Sequence, residues 1–149
     1  MHPNLSFEQA PPISVPFRFF LTAPWFGVAT GLLLSIEGAP MLASRWMPGA
    51  LASTHLLVVG FMLQAMCGAL LQFVPVVVGG NVWRARLVAG IVHPVLVVAA
   101  ILLSGAFLTS HPILYQAAAY GFVWAFAIFL PVVGVALWRT AARGATIVA

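Results

Sequence analysis

The sequence contains no lysine and no aspartate, and its charged side chains are six arginines and two glutamates. Charged residues make up 5% of the 149 residues, whereas they make up about 25% of a soluble domain. This shortage excludes a soluble globular protein, and six dispersed arginines do not form a nucleic-acid interface. We therefore predict an integral membrane protein with little mass outside the lipid bilayer and no nucleic-acid partner.

Cysteine is scarce as well. Cys67 is the only cysteine, so no disulfide can form within the chain, and cysteine usage gives no signal about the redox compartment. Cys67 lies in the middle of an apolar run, where we expect it to be a small buried hydrophobic residue.

Long apolar runs, in contrast, occupy most of the chain, of which 63% is hydrophobic. We predict an all-α fold with four transmembrane helices at residues 17–38, 51–78, 87–108 and 113–138. Each run is long enough to span the hydrocarbon core, which takes about 20 helical residues. A polar, proline-rich arm precedes the helices at residues 1–16, and a C-terminal tail follows at residues 140–149. The first run lacks the basic start of a cleaved signal peptide and is too long for one, so it is interpreted as a retained helix.

Two of the four histidines, His55 and His93, lie inside predicted helices. An ionisable side chain there is costly unless it faces protein, water or a metal, so each is a candidate metal or cofactor ligand. The alternative is a structural histidine bonded to a backbone carbonyl, and spacing alone favours neither reading. Counted from the helix ends, the two imidazoles differ in depth by about 8 to 10 Å. Within one chain they are therefore poorly placed to ligate one metal from both sides.

The second predicted helix has two distinct faces. At about 100° per residue, His55 shares a stripe with Met62 and Met66. Methionine is soft and adaptable, so this stripe suits the edge of a large planar cofactor. The opposite side has small or polar residues at four-residue intervals and is predicted to pack closely against another helix. These residues are Gly60, Gln64 and Gly68.

The order of residues along this helix resembles that of a known family. A histidine is followed by a glycine- and methionine-rich apolar run, and then by an aromatic residue, a proline and a glycine pair. These residues are His55, Gly60, Phe61, Met62, Gly68, Phe73, Pro75, Gly79 and Gly80. The order resembles the haem-binding helices of the catalytic subunit of haem-copper oxidases and nitric oxide reductases. The start of the first helix, VPFRFFLTAPWFG, also resembles the opening of NnrS-like membrane haem and copper proteins.

This resemblance implies a haem b-binding protein that corresponds to one of the four-helix repeats of the oxidase subunit. It implies iron ligation by His55, with His93 as the second candidate ligand and with Met62 and Met66 beside the ring. The oxidase subunit combines three such repeats, so the resemblance also implies a homo-oligomer and favours a trimer. The implied role is electron transfer, with a redox partner, or binding of a diatomic gas, nitric oxide or oxygen.

The resemblance does not extend to the family's copper site, which needs a cluster of three histidines that no helix of this chain offers. His93 and Pro94 are similar to the His-Pro start of the copper-ligating helix, but they lie on the third helix instead of the second. Whether the chain is a haem-dependent oxidoreductase therefore stays open. Two alternatives remain. One is copper bound by His93 with His111 or a methionine, and the other is a non-catalytic transporter half or assembly module with structural histidines.

Arginines are distributed unevenly between the two sides of the predicted helices. Arg18, Arg84, Arg86, Arg139 and Arg143 lie on one side, and Arg45 alone lies on the other. Because positively charged loops stay in the cytoplasm, we predict that the protein lies in the cytoplasmic (inner) membrane with both termini inside.

A reporter enzyme that is active only outside the cytoplasm tests this topology. Fused after Ala149 it is expected to be inactive, and inserted beside Arg45 it is expected to be active, because the first loop is predicted to face outward and the C-terminus inward. The reverse pattern of activity contradicts the predicted orientation.

Overall fold

Four long helices make up the part of the chain that the computed structural model describes, which is residues 10–147, with side chains for residues 10–140. They are α1 (Ser14–Glu37), α2 (Pro48–Val78), α3 (Ala85–Thr109) and α4 (Pro112–Ile147). The prediction of an all-α fold with four long apolar helices is confirmed.

The helix ends follow from local sequence signals. Gly38 has a φ of 67° and Gly79 has a φ of 71°, and these left-handed conformations end α1 and α2. Pro48 begins α2 at a position where its missing N–H costs no hydrogen bond. The chain therefore turns where glycine and proline permit it.

The two predicted terminal segments differ from the structure. Helix α1 already begins at Ser14, inside the predicted arm, and residues 1–9 of that arm lie outside the described residues. Helix α4 continues to Ile147, so residues 140–147 of the predicted tail are helical.

Helices α1, α2 and α3 pack around one another, and α4 packs mainly along α3. Successive helices run in opposite directions, which gives the molecule two ends. The first-loop end contains the connections 38–47 and 110–111, and the second-loop end contains the start of α1 and the connection 79–84. All four helices contribute large buried side chains to the core, among them Phe19, Leu71, Leu96 and Phe129.

The face of α2 that holds Gly60 and Gly68 lies against α1. A Cβ atom on Gly68 would lie 2.9 Å from Phe19 Cβ, and a Cβ atom on Gly60 would overlap the Phe26 ring. Gln64 lies between the two glycines and is fully buried. Only glycine permits so close an approach, so the prediction that this face packs against another helix is confirmed.

Most of the helix surface is not covered by the chain itself. At most 39% of the residues in the apolar stretch of any span are buried, and the exposed side chains are mostly large and apolar. Such a surface is stable against acyl chains and unstable against water. Several hydroxyl groups are satisfied by the carbonyl four residues earlier, namely those of Thr30, Ser35, Thr54, Ser104 and Thr109. The described residues therefore have the surface of a membrane protein.

Replacing Gly68 with leucine is expected to destabilise the fold by about 1 to 3 kcal/mol, because the new side chain overlaps Phe19 and the Pro16 backbone. Gly31→Leu is the matched control, since a Cβ atom at Gly31 has no neighbour within 4 Å. Unfolding of both variants in detergent measures the difference. Equal stability of the two variants contradicts the close contact between α1 and α2.

Candidate functional site

His55 lies in the last turn of regular α-helix before a π-helical segment of α2, Leu56–Met62. Its Nδ1 lies 2.7 Å from the Leu51 carbonyl oxygen, so Nδ1 carries a proton and donates it. The other ring nitrogen, Nε2, then holds a lone pair, and no described residue forms a hydrogen bond to it. The half-buried imidazole thus presents one neutral ligand atom.

One aromatic ring contacts this imidazole directly, and a second ring packs against the first. The His55 ring stacks on Phe107 of α3, with 4.5 Å between the ring centroids and 29° between the planes. Phe107 in turn meets Tyr115 of α4 edge-on at 5.3 Å. Sequence reasoning missed both rings. Their position in the sequence could have indicated them. Phe107 and Tyr115 flank the short turn 110–111, which lies at the end of the molecule where α2 begins and therefore at the depth of His55.

The π-helical segment changes which side chains share a face with His55. A π-helix takes about one residue more per turn than an α-helix, so the chain rotates less at each residue. The half-buried flank of His55 continues with Val59, whereas Met62 and Met66 are 53% and 58% exposed. The predicted stripe assumed a regular α-helix from His55 to the two methionines, and the π-helical segment between them does not have that periodicity. A role for them beside a cofactor stays a prediction.

His93 is hydrogen-bonded across helices, to α1. Its Nε2 lies 2.8 Å from Thr22 Oγ1, which also lies 2.8 Å from the Arg18 carbonyl oxygen. The hydroxyl has one proton and the carbonyl can only accept. The arrangement that satisfies all three groups has Thr22 donating to Arg18 and accepting from the Nε2–H of His93. Nδ1 is then the unprotonated nitrogen of His93, and the three residues are termed the polar seam.

Three further features lie beside the polar seam. Pro94 has no N–H, so the Gly90 carbonyl one turn earlier lacks its helical donor. The Arg18 guanidinium passes close to this point, since a Cβ atom on Gly90 would lie 3.5 Å from Arg18 Nη1. Phe19 covers the His93 ring edge-on at 5.0 Å. Polar groups of α1 and α3 therefore converge at one level of the helix pair.

The two histidines lie at different depths, and the difference is larger than predicted. His55 contacts Phe107, which lies fourteen residues beyond His93 on α3 (93 to 107). At about 1.5 Å per residue the separation along the axis is about 21 Å, more than twice the predicted value. Because α2 has 31 residues and α3 has 25, counting inward from the start of α2 overstated the depth of His55. One metal cannot be ligated by both histidines of a chain.

Within the described part of the chain, no group of three or more histidine, cysteine, aspartate or glutamate side chains could hold a metal ion. His111 lies at the first-loop end, far from His93, so these two histidines do not form the copper pair considered from the sequence. A single imidazole with a free Nε2 can instead be a ligand of a haem iron, because the porphyrin supplies most of the other donor atoms.

Comparison of the chain with models of protein families, with curated protein sequences and with solved structures gave no significant match. The resemblance of the second helix to haem-copper oxidases, nitric oxide reductases and NnrS-like proteins rests on the residues quoted above. It stays a prediction.

The stacking of His55 on Phe107 predicts an energetic coupling between the two side chains. We expect the effects of His55→Ala and Phe107→Ala on unfolding to depart from additivity by about 0.5 to 1.5 kcal/mol. His93→Ala combined with Phe107→Ala is the control pair, for which the distance along α3 predicts additive effects. Unfolding in detergent supplies the four free energies of each cycle. Strict additivity for His55 and Phe107 contradicts the stacked geometry.

Proposed function

We propose that this chain is a haem b-binding protein of the cytoplasmic membrane in which His55 Nε2 ligates the iron. The observation that carries the proposal is the 2.7 Å hydrogen bond between His55 Nδ1 and the Leu51 carbonyl oxygen. Metal-ligating histidines characteristically donate their other ring N–H to a carbonyl or carboxylate, which fixes the tautomer and orients the ring. Stacking on Phe107 restrains the same ring from α3.

His93 is the weaker candidate ligand. Its Nε2 is bonded to Thr22, so ligation through that nitrogen requires the bond across helices to break. Its Nδ1 is next to the backbone attachment of the ring and is less accessible to a bulky planar group. We therefore assign iron ligation to His55 and a separate role to His93.

Bound haem b would supply one-electron redox chemistry and could bind nitric oxide or oxygen. The chain supplies a neutral, oriented imidazole in an apolar, half-buried environment. The proposed role would be electron transfer if two imidazoles held the haem iron, and binding of a diatomic gas if only His55 did. The number of histidine ligands would therefore decide between the two roles.

A second imidazole would come from another copy of the chain. Rotation about an axis along the membrane normal leaves the depth of every residue unchanged, so the His93 side chain of a neighbouring copy stays about 21 Å from the level of His55. The neighbour's own copy of His55 lies at the right depth, and a two-fold axis pairs the two. A trimer, which the family resemblance favours, has no mutual pairing and leaves one axial position open. Met62 and Met66 are exposed in the single chain, so they are available for contact with a neighbour or a cofactor.

A structural role for the histidines is the second candidate function. It is favoured by one observation, which is that both imidazoles are already hydrogen-bonded within the chain. In that case the protein is a non-catalytic membrane module, such as a transporter half or an assembly partner. Bound haem distinguishes the two candidates.

The protein purified from membranes is expected to show the Soret absorption of haem b, and His55→Ala is expected to lose most of it because the axial ligand is removed. His93→Ala and His111→Ala are the matched controls, which are expected to keep their haem. Absorbance per mole of protein, with a pyridine spectrum to identify the haem, makes the measurement.

A colourless wild-type protein without iron favours the structural module. Full haem retention in His55→Ala removes that residue from the proposal. The mass and haem count of the intact complex in detergent then distinguish two copies from three.

A further inference from the structure

A groove at the second-loop end lies between the connection 79–84 and α4. It has a volume of about 340 Å³, and its lining includes Asn81 and Trp83 of the connection and Pro131, Val135 and Arg139 of α4. Next to the groove, the connection packs tightly on α4. A Cβ atom on Gly80 would lie 2.8 Å from the Ala136 carbonyl oxygen, so only glycine permits this approach.

The groove has a polar end and an apolar end. The exposed side chains of Asn81 and Arg139 both have N–H groups to donate at the polar end. This end lies at the membrane surface, because Arg139 is next to the last residue of the apolar span Pro112–Thr140. Pro131 lies eight residues before Arg139, so the groove follows α4 for about 12 Å toward the middle of the span. An occupant with a polar head and an apolar body matches this shape.

Positive charge gathers at the polar end. Besides Arg139, the Arg84 guanidinium lies 4.9 Å from the centroid of the Trp83 ring, which lines the groove. Within residues 10–140 the only carboxylate is that of Glu37, which lies at the first-loop end beside Gly49. The other acidic residue, Glu8, is outside the described residues. The described side chains around the groove therefore offer cations and hydrogen-bond donors.

Charge and shape together restrict the occupant. A metal cation would lie beside guanidinium groups of the same sign, and so would a choline head group. A soluble anion would leave the apolar length of the groove unused. An anionic phospholipid satisfies both ends, because its phosphate oxygens accept charge-assisted hydrogen bonds from Arg139 and its acyl chain covers Val135 and Pro131. Trp83 at the rim is a residue favoured at the level of lipid head groups.

We propose that this groove binds an anionic phospholipid, with the phosphate held by Arg139 and Asn81 and one acyl chain lying along α4. Basic pockets at the ends of transmembrane helices are suited to anionic lipid head groups. The bound lipid bridges the connection 79–84 and α4. The site is separate from the proposed haem site, because His55 lies near the opposite end of the molecule.

Native mass spectrometry of the protein in detergent, titrated with phosphatidylglycerol or with phosphatidylcholine of the same acyl chains, tests this proposal. We expect one phosphatidylglycerol to bind about tenfold more tightly than phosphatidylcholine, because two arginines face its head group. Arg139→Gln is expected to weaken phosphatidylglycerol binding about tenfold and to remove most of this preference. Arg86→Gln is the matched control, since it removes the same charge at the same end but lines a neighbouring groove. We expect it to keep its affinity within about twofold.

Val135→Trp is a second variant, which leaves the polar end intact. Val135 is 45% exposed, so this variant is expected to fold while the indole fills the apolar length of the groove and abolishes the preference. Leu130→Trp is its control, because Leu130 is 59% exposed on α4 and does not line the groove.

Equal binding of the two lipids to the wild-type protein overturns the proposal. Equal losses in Arg139→Gln and Arg86→Gln also overturn it, because the attraction is then spread over the whole end of the molecule. Displacement of phosphatidylglycerol by excess inorganic phosphate overturns the choice of a lipid, because the site then takes a soluble anion. None of these readouts depends on haem, so their failure is separate from failure of His55 as an iron ligand.

Discussion

Hydrogen bonding inside lipid is the constraint on which this structure depends, because the hydrocarbon core offers no water to polar groups. Most polar side chains of the chain form their hydrogen bonds within their own helix, where hydroxyl groups and the His55 imidazole bond to carbonyls four residues earlier. His93 forms its hydrogen bond across helices, to Thr22. Gln64 is an exception among the described residues, since neither atom of its buried carboxamide has a partner.

The two histidines illustrate how this constraint separates chemical roles. Both are placed with one ring nitrogen in a hydrogen bond, but the nitrogen left over is Nε2 in His55 and Nδ1 in His93. The first projects from the far side of the ring, and the second lies beside the Cβ attachment. A planar metal complex can reach the former more readily than the latter. The same residue type is therefore suited to ligation in one half of the membrane and to hydrogen bonding in the other.

The helices were predictable, because a run of about 20 apolar residues without charge has few alternatives and because Gly38, Gly79 and Pro48 mark its ends. That the glycine face of α2 packs closely against another helix was predictable from small residues at helical spacing, but not that this helix is α1. The surroundings of His55 were not. No residue type marks a π-helical segment, which depends on hydrogen bonds between residues five apart. Phe107 reaches His55, and Tyr115 reaches Phe107, only because α3 and α4 pack beside one another at this end, which spacing along α2 does not reveal.

The glycines of α2 also fix the vertical alignment of the first two helices. Gly60 and Gly68, eight residues apart, receive Phe26 and Phe19, which are seven residues apart on α1. Sliding α1 by one turn would press a phenyl ring against Gln64 instead of a glycine, so only one alignment packs well. The contacts between α1 and α2 therefore specify the register of the first hairpin without help from α3 or α4.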